Sequence, residues 1–147
     1  MRNRVNLSMA LSWLPFVAMT AYAQAQNIQR PENQPISLEG TIRLVHNFGP
    51  PGYGETPKRD AHVTYWAIKT VKPVTAIPSQ TDFDCTPTKQ LKLFFPGLGL
   101  QPLSKLPAAK WKDRRVVIRG KIHCADTVGE MTSIYMDVDS IGVPTEP

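Results

Sequence analysis

The stretch ISLEGTIRLV, residues 36–45, decides the fold class. Ile36, Leu38, Ile42 and Leu44 fall on one face of an extended chain, and Ser37, Glu39, Thr41 and Arg43 fall on the other. Successive side chains of a strand point to opposite faces, so this alternation predicts a strand with one face buried. Gly40 takes an apolar-face position midway along. A glycine there removes the side chain where a strand bends or where another backbone comes close. Small barrels turn their corners at such points. The device recurs in RRVVIRGKIHC, residues 114–124, where Val116, Ile118 and Ile122 share a face with Gly120.

Working outward, HVTYWAIKTV (62–71) is rich in β-branched and aromatic residues and reads as a strand. PVTAIP (73–78) reads as the returning arm of a short hairpin, bounded by Pro73 and Pro78. KQLKLFF (89–95) sets Leu91, Leu93 and Phe95 against Lys92 and Phe94. TSIYMDVDSI (132–141) alternates Ile134, Met136 and Val138 and then, after a slip of one residue, Ile141. SKLPAAKWKD (104–113) holds a helical turn or two, and no long amphipathic helix occurs. Five to six strands with so little helix predict an all-β fold, a small β-barrel rather than a layered α/β domain.

The first residues, MRNRVNLSMALSWLPFVAMTAYAQAQ, place Arg2 and Arg4 before an apolar run and end in small-x-small sites at Ala21-Tyr22-Ala23 and Ala23-Gln24-Ala25. That is the layout of a cleaved secretory signal peptide over residues 1–25, and it predicts a periplasmic or secreted protein with no membrane span after cleavage. Residues 26–35, QNIQRPENQP, are polar and broken by Pro31 and Pro35, and are expected to form a flexible lead-in. Residues 36–143 then form a single domain, roughly 120 residues with the lead-in, large enough for a modest core.

Charge and cysteine usage narrow the function. The chain carries 17 Lys+Arg against 12 Asp+Glu, and its formal charge falls from +5 to +3 when Arg2 and Arg4 leave. Lys110, Lys112, Arg114, Arg115, Arg119 and Lys121 concentrate the excess in one segment, which reads first as a solvated strand face. Polyanion binding there would need aromatic partners nearby. Cys85 and Cys124 are the only two cysteines, and an even count in an exported chain predicts a disulfide. The rival reading, His123, Cys124 and Asp126 as metal ligands, lacks the paired spacing of a structural zinc site.

No catalytic frame emerges. His46, His62 and His123 stand in no G-x-S-x-G or H-E-x-x-H setting. Asp82 and Asp84 lie in a turn-rich loop, and PGYG lacks the strand-to-helix context of a phosphate cradle. The expectation is a non-enzyme without cofactor or metal. The informative feature is the Gly- and Pro-rich segment 49–61, longer than a connection between two strands requires. Tyr53, Lys58 and Arg59 lie in it, and Tyr65 follows on the next strand. With Trp66 and Ile68 inward, Tyr65 is expected to be displayed beside them, and these four residues form the expected ligand-binding set.

At these residues the chain resembles the OB-type barrel, with a mid-strand glycine in the first strand, a bulky second strand and a late WKDRRVVIRGKI strand. More narrowly, LEGTI, FGPPGYGE and VTYWAI, taken with RRVVIRGKI and TSIYMDVDSI, resemble a bacterial family of small exported proteins, domain of unknown function 4431, over residues 36–141. Where that family often carries a His-rich turn between the last two strands, this chain has DTVGEMT. The resemblance implies an OB-like barrel and no established activity. The function expected is a binding module for a protein, peptide or envelope glycan, including inhibitor or immunity roles. The alternative is nucleic-acid or polyanion binding through 110–121, which the compartment and modest charge disfavour.

Overall fold

The computed structural model describes residues 27–79, 85–99, 101–126 and 131–144. The expected signal peptide, and Asp82 and Asp84, lie outside these residues. Six strands follow in chain order: β1 (Ile28–Pro31), β2 (Pro35–Phe48), β3 (His62–Ile77), β4 (Thr88–Phe94), β5 (Arg115–Cys124) and β6 (Ile134–Gly142). The sheet order is β1-β3-β2-β5-β6-β4, and β3 also pairs with β4. That last pairing closes β2 to β6 into a five-stranded barrel with β1 added outside. The barrel pairs are antiparallel except β4–β6, which run parallel. This is a small OB-like β-barrel: the alternation predicted the all-β barrel, and the resemblance implied its OB-like type.

The core follows the sequence pattern. Leu38, Ile42, Ile68, Leu91, Ile118, Ile122, Ile134 and Met136 are completely or almost completely buried. Between β4 and β5, two 3-10 turns, Leu103–Lys105 and Pro107–Trp111, pack against this core, with Ala108 fully buried. The Trp66 indole N–H donates to the Leu103 carbonyl at 2.9 Å, tying those turns to the barrel.

Both glycines sit where backbones meet. Gly40 pairs with Thr70 on one side and Val116 on the other, where β2 passes from β5 to β3. A Cβ there would lie 2.5 Å from the Lys69 carbonyl oxygen and 2.7 Å from Ile68 Cγ1. At Gly120 a Cβ would overlap the Asp137 carbonyl oxygen. Arg119 opposes Ser140 while Gly120 opposes Val138, so Asp139 is bulged out. That bulge is the slip that displaces Ile141 from the alternation of β6.

Two expectations are corrected. Residues 28–31 of the supposed flexible lead-in are a strand, pairing in parallel with residues 74–77 of β3. The turn that follows is fixed by Glu32, whose carboxylate accepts hydrogen bonds from Ser79 N, Ser79 Oγ and Cys124 N. Burial opposes the charge on Glu32. The Ser79 and Cys124 hydrogen bonds, with the nearby His123, outweigh it and hold the carboxyl below its ordinary range. Backbone pairing needs no apolar alternation, so composition alone did not reveal this strand. PVTAIP is likewise no returning arm. It is the outer half of the same 16-residue β3, which runs on past a register irregularity between Lys69 and Val74.

The disulfide is present. Cys85 and Cys124 are bridged, with their Cα atoms 5.0 Å apart and 39 residues of separation, which takes Cys124 out of the rival metal set. The bond fixes the segment before β4 to the end of β5.

Candidate functional site

The 49–61 loop joins β2 to β3 at the end of a ladder in which Phe48 pairs with His62. Their rings lie 5.2 Å apart at its base, and Gly49 N and Ala61 O close it at 2.7 Å. The organising residue is Asp60, which is 6% exposed. Its Oδ1 accepts from Gly52 N at 2.8 Å and Thr56 Oγ1 at 2.7 Å. Its Oδ2 accepts from Gly54 N at 2.8 Å and Thr56 N at 3.1 Å. Burial disfavours the charged carboxylate, but these four hydrogen bonds outweigh it and hold the group below its ordinary value of 3.8. The loop is therefore built around one buried anion.

The grip falls on both neighbours of Tyr53. That residue is held in the left-handed region at φ 48°, a conformation few non-glycine residues adopt, with its side chain 40% exposed. Lys58 and Arg59 are exposed on the same loop. Tyr65, expected to be displayed with them, is 4% exposed. Side chains of the adjacent β4 flank it, with Gln90 Nε2 3.4 Å from its hydroxyl and Lys92 Nζ 6.0 Å from its ring centre. Trp66 and Ile68 are inward as expected, so both faces of β3 are buried here. The structure thus brings Tyr53, Lys58 and Arg59 onto one loop and leaves Tyr65 out. Sequence reasoning missed Asp60. Its available signal was an Asp in a Gly/Thr-rich turn, a residue type that accepts local backbone N–H groups. His46 and His62 line one small cavity at the end of the β2–β3 ladder, where His46 Nδ1 lies 2.9 Å from Thr64 Oγ1 and His62 packs on Phe48.

A second region is a cleft of about 810 Å³ on the outer side of the barrel where β2 passes from pairing with β5 to pairing with β3. Thr41 pairs with Arg115 on one side and Lys69 on the other, so these three form a row across β5, β2 and β3. Lys72 from the irregular part of β3 and Lys89 from β4 also line the cleft, as do Glu39, Val71 and Ile28. Glu39 Oε1 engages Arg115 Nε at 2.5 Å. Within the basic segment, Lys110, Lys112, Arg114, Arg119 and Lys121 are exposed and outside the cleft lining. Arg115 alone joins Lys69, Lys72 and Lys89 there. The sequence held no local signal for this set, because its members are divided among β3, β4 and β5.

A third region is a row of rings on the barrel exterior. Tyr135 stacks on His123 at 5.0 Å and meets Phe94 edge-on at 5.2 Å, while Lys92 Nζ sits 4.7 Å over Phe94. These rings pack on one another rather than standing clear as a stacking platform.

The fold and bridge define a disulfide-linked OB-like barrel. Comparison with known proteins gives no matching family, no matching curated protein and no matching solved structure. The likeness to domain of unknown function 4431 rests on the residues quoted above. Among the described residues no helix is long and apolar enough to cross a membrane.

Proposed function

We propose that this chain is a non-enzymatic binding module of the periplasm or extracellular space, engaging a protein, peptide or envelope glycan through the 49–61 loop. One observation carries the reading: Asp60 holds both neighbours of Tyr53, fixing an exposed aromatic side chain in a left-handed backbone conformation. Strained residues persist only where the surroundings determine them, and they gather at functional positions. A loop ordered before contact also loses less entropy on binding. Lys58 and Arg59 add positive charge on the same loop. The disulfide supports an oxidising compartment, and the signal-peptide layout supports export.

The test is capture from envelope extract by immobilised parent protein and by the triple variant Tyr53→Ala, Lys58→Ala, Arg59→Ala. The expected outcome is a partner retained by the parent and lost by the variant, with both melting at the same temperature. Equal capture by the two proteins overturns the assignment to this loop. Polyanion binding through 110–121 is the weaker reading, because those cations are spread over a 3-10 turn and one strand.

A further inference from the structure

We propose that the cleft where β2 passes from β5 to β3 is a binding site for a phosphorylated ligand of small-molecule size, a phosphate group joined to an apolar moiety. This goes beyond the loop reading and shares no residue with it.

The argument starts from convergence. Lys69, Lys72, Lys89 and Arg115 line one concavity, and Glu39 is the one carboxylate in its lining among the described residues. Its volume of about 810 Å³ falls in the range of small-molecule sites, ~300–1,000 Å³. Like charges gathered in a concave surface raise the local potential and concentrate a counter-ion of opposite sign. Chemistry then selects among anions. A planar carboxylate is matched best by the fork of an arginine, and the one arginine here is already engaged by Glu39. What remains is three lysines, compact charges with freely turning donors. They suit a tetrahedral, multiply charged oxyanion approached from several directions. The lining is not wholly polar. Val71 is 79% exposed, and Ile28 from β1 also faces the cleft. An apolar group attached to the phosphate would cover these two side chains and gain from leaving water.

The backbone explains why the site is concave. β3 departs from its register between Lys69 and Val74, and such irregularities bend a strand and re-aim its side chains. Gly40 opposes Thr70 at that point, and its missing side chain lets β2 and β3 approach closely. β1, pairing with the outer half of β3, contributes Ile28. Without the added strand the apolar side of the cleft would be open.

The experiment titrates the full mature chain with inorganic pyrophosphate, followed by backbone amide shifts, and separately measures sedimentation with phosphatidylcholine vesicles containing phosphatidylglycerol. Citrate serves as the carboxylate control. Shifts at Lys69, Lys72, Lys89 and Arg115 that weaken about tenfold or more in Lys69→Ala/Lys89→Ala, but not in Lys110→Ala/Lys112→Ala, support the site. Pyrophosphate binding without vesicle binding identifies a free phosphate ester as the source, and vesicle binding lost in the same variant identifies a lipid headgroup. Citrate binding as tightly as pyrophosphate overturns the phosphate assignment. Binding indifferent to Lys69 and Lys89, or no binding of either probe, overturns the site. Lys69 and Lys89 are exposed, and a melt of each variant checks that it keeps the fold. Loss of partner capture on the loop variant leaves this result untouched, so the two proposals fail separately.

Discussion

Replacing Gly40 with alanine adds one methyl group where β2 and β3 approach too closely to admit it. The new Cβ would sit 2.5 Å from the Lys69 carbonyl oxygen, 2.7 Å from Ile68 Cγ1 and 3.0 Å from the Lys69 carbonyl carbon. Ordinary contact begins near 3.4 Å, so the oxygen must retreat by about 0.9 Å. It has little freedom to do so. Lys69 is paired with Thr41 on one side and Gln90 on the other, and Ile68 is fully buried. Overpacking of this kind costs ~1–3 kcal/mol. Each ladder hydrogen bond weakened by the retreat adds ~0.5–1.5 kcal/mol. Against this, alanine reduces the freedom of the unfolded chain, which returns ~0.4–1 kcal/mol. The expected net loss is about 2–3 kcal/mol. For a domain of this size it lowers Tm by roughly 8–12 °C. Urea melts should show the same loss as a lower midpoint at an unchanged m-value. Ser37→Ala, outward on the same strand, is the control and should stay within ~0.5 kcal/mol of the parent. A Gly40→Ala protein melting within about 2 °C of the parent would refute the close approach of β2 and β3 at this position.

Gly120→Ala should destabilise more, by about 3 kcal/mol or above, because its Cβ would overlap the Asp137 carbonyl oxygen in the bulged β5–β6 ladder. A urea midpoint equal to that of Gly40→Ala or higher counts against the bulge at Asp139. Replacing Cys85 and Cys124 together with serine should lower stability by ~3–4 kcal/mol, from the loop of 39 residues they close. A reducing-agent melt that matches the oxidised one contradicts this. Asp60→Ala should speed amide exchange at Gly52, Gly54 and Thr56 while β2 and β5 amides keep their protection. Unchanged exchange at those three amides would show that the loop holds itself. The order that Asp60 confers is pH-dependent with a defined sign. Its folded carboxyl lies below 3.8, so the contribution is complete above that value and is lost only as pH falls through the lower folded value. Loop amide shifts that titrate near neutral pH, with no change in strong acid, oppose the assignment to Asp60.

The sequence alone determined the barrel. Ile36, Leu38 and Ile42, then Val116, Ile118 and Ile122, alternate strictly because a strand buried on one face allows nothing else, and all are buried in the structure. Gly40 and Gly120 were legible for the same reason: a missing side chain within an apolar face marks a close backbone approach. Cysteine parity and export signals pointed to the bridge. Tyr65 was misread because alternation tells which residues share a face and not what covers that face. Its burial depends on Gln90 and Lys92, more than twenty residues further on. β1 was misread because backbone hydrogen bonds to an open strand edge leave no mark on side-chain composition. The 49–61 loop was legible as a candidate site, but tertiary structure alone decided what holds it and where the cleft lies. Asp60 became an organising group only when the loop folded its amides onto one carboxylate. Lys69, Lys72, Lys89 and Arg115 lie on three strands, and only barrel closure and the bend of β3 bring their charges into one cleft. Alternation is a local property read along one strand, whereas a charge cluster is set by register between strands, which no single strand encodes.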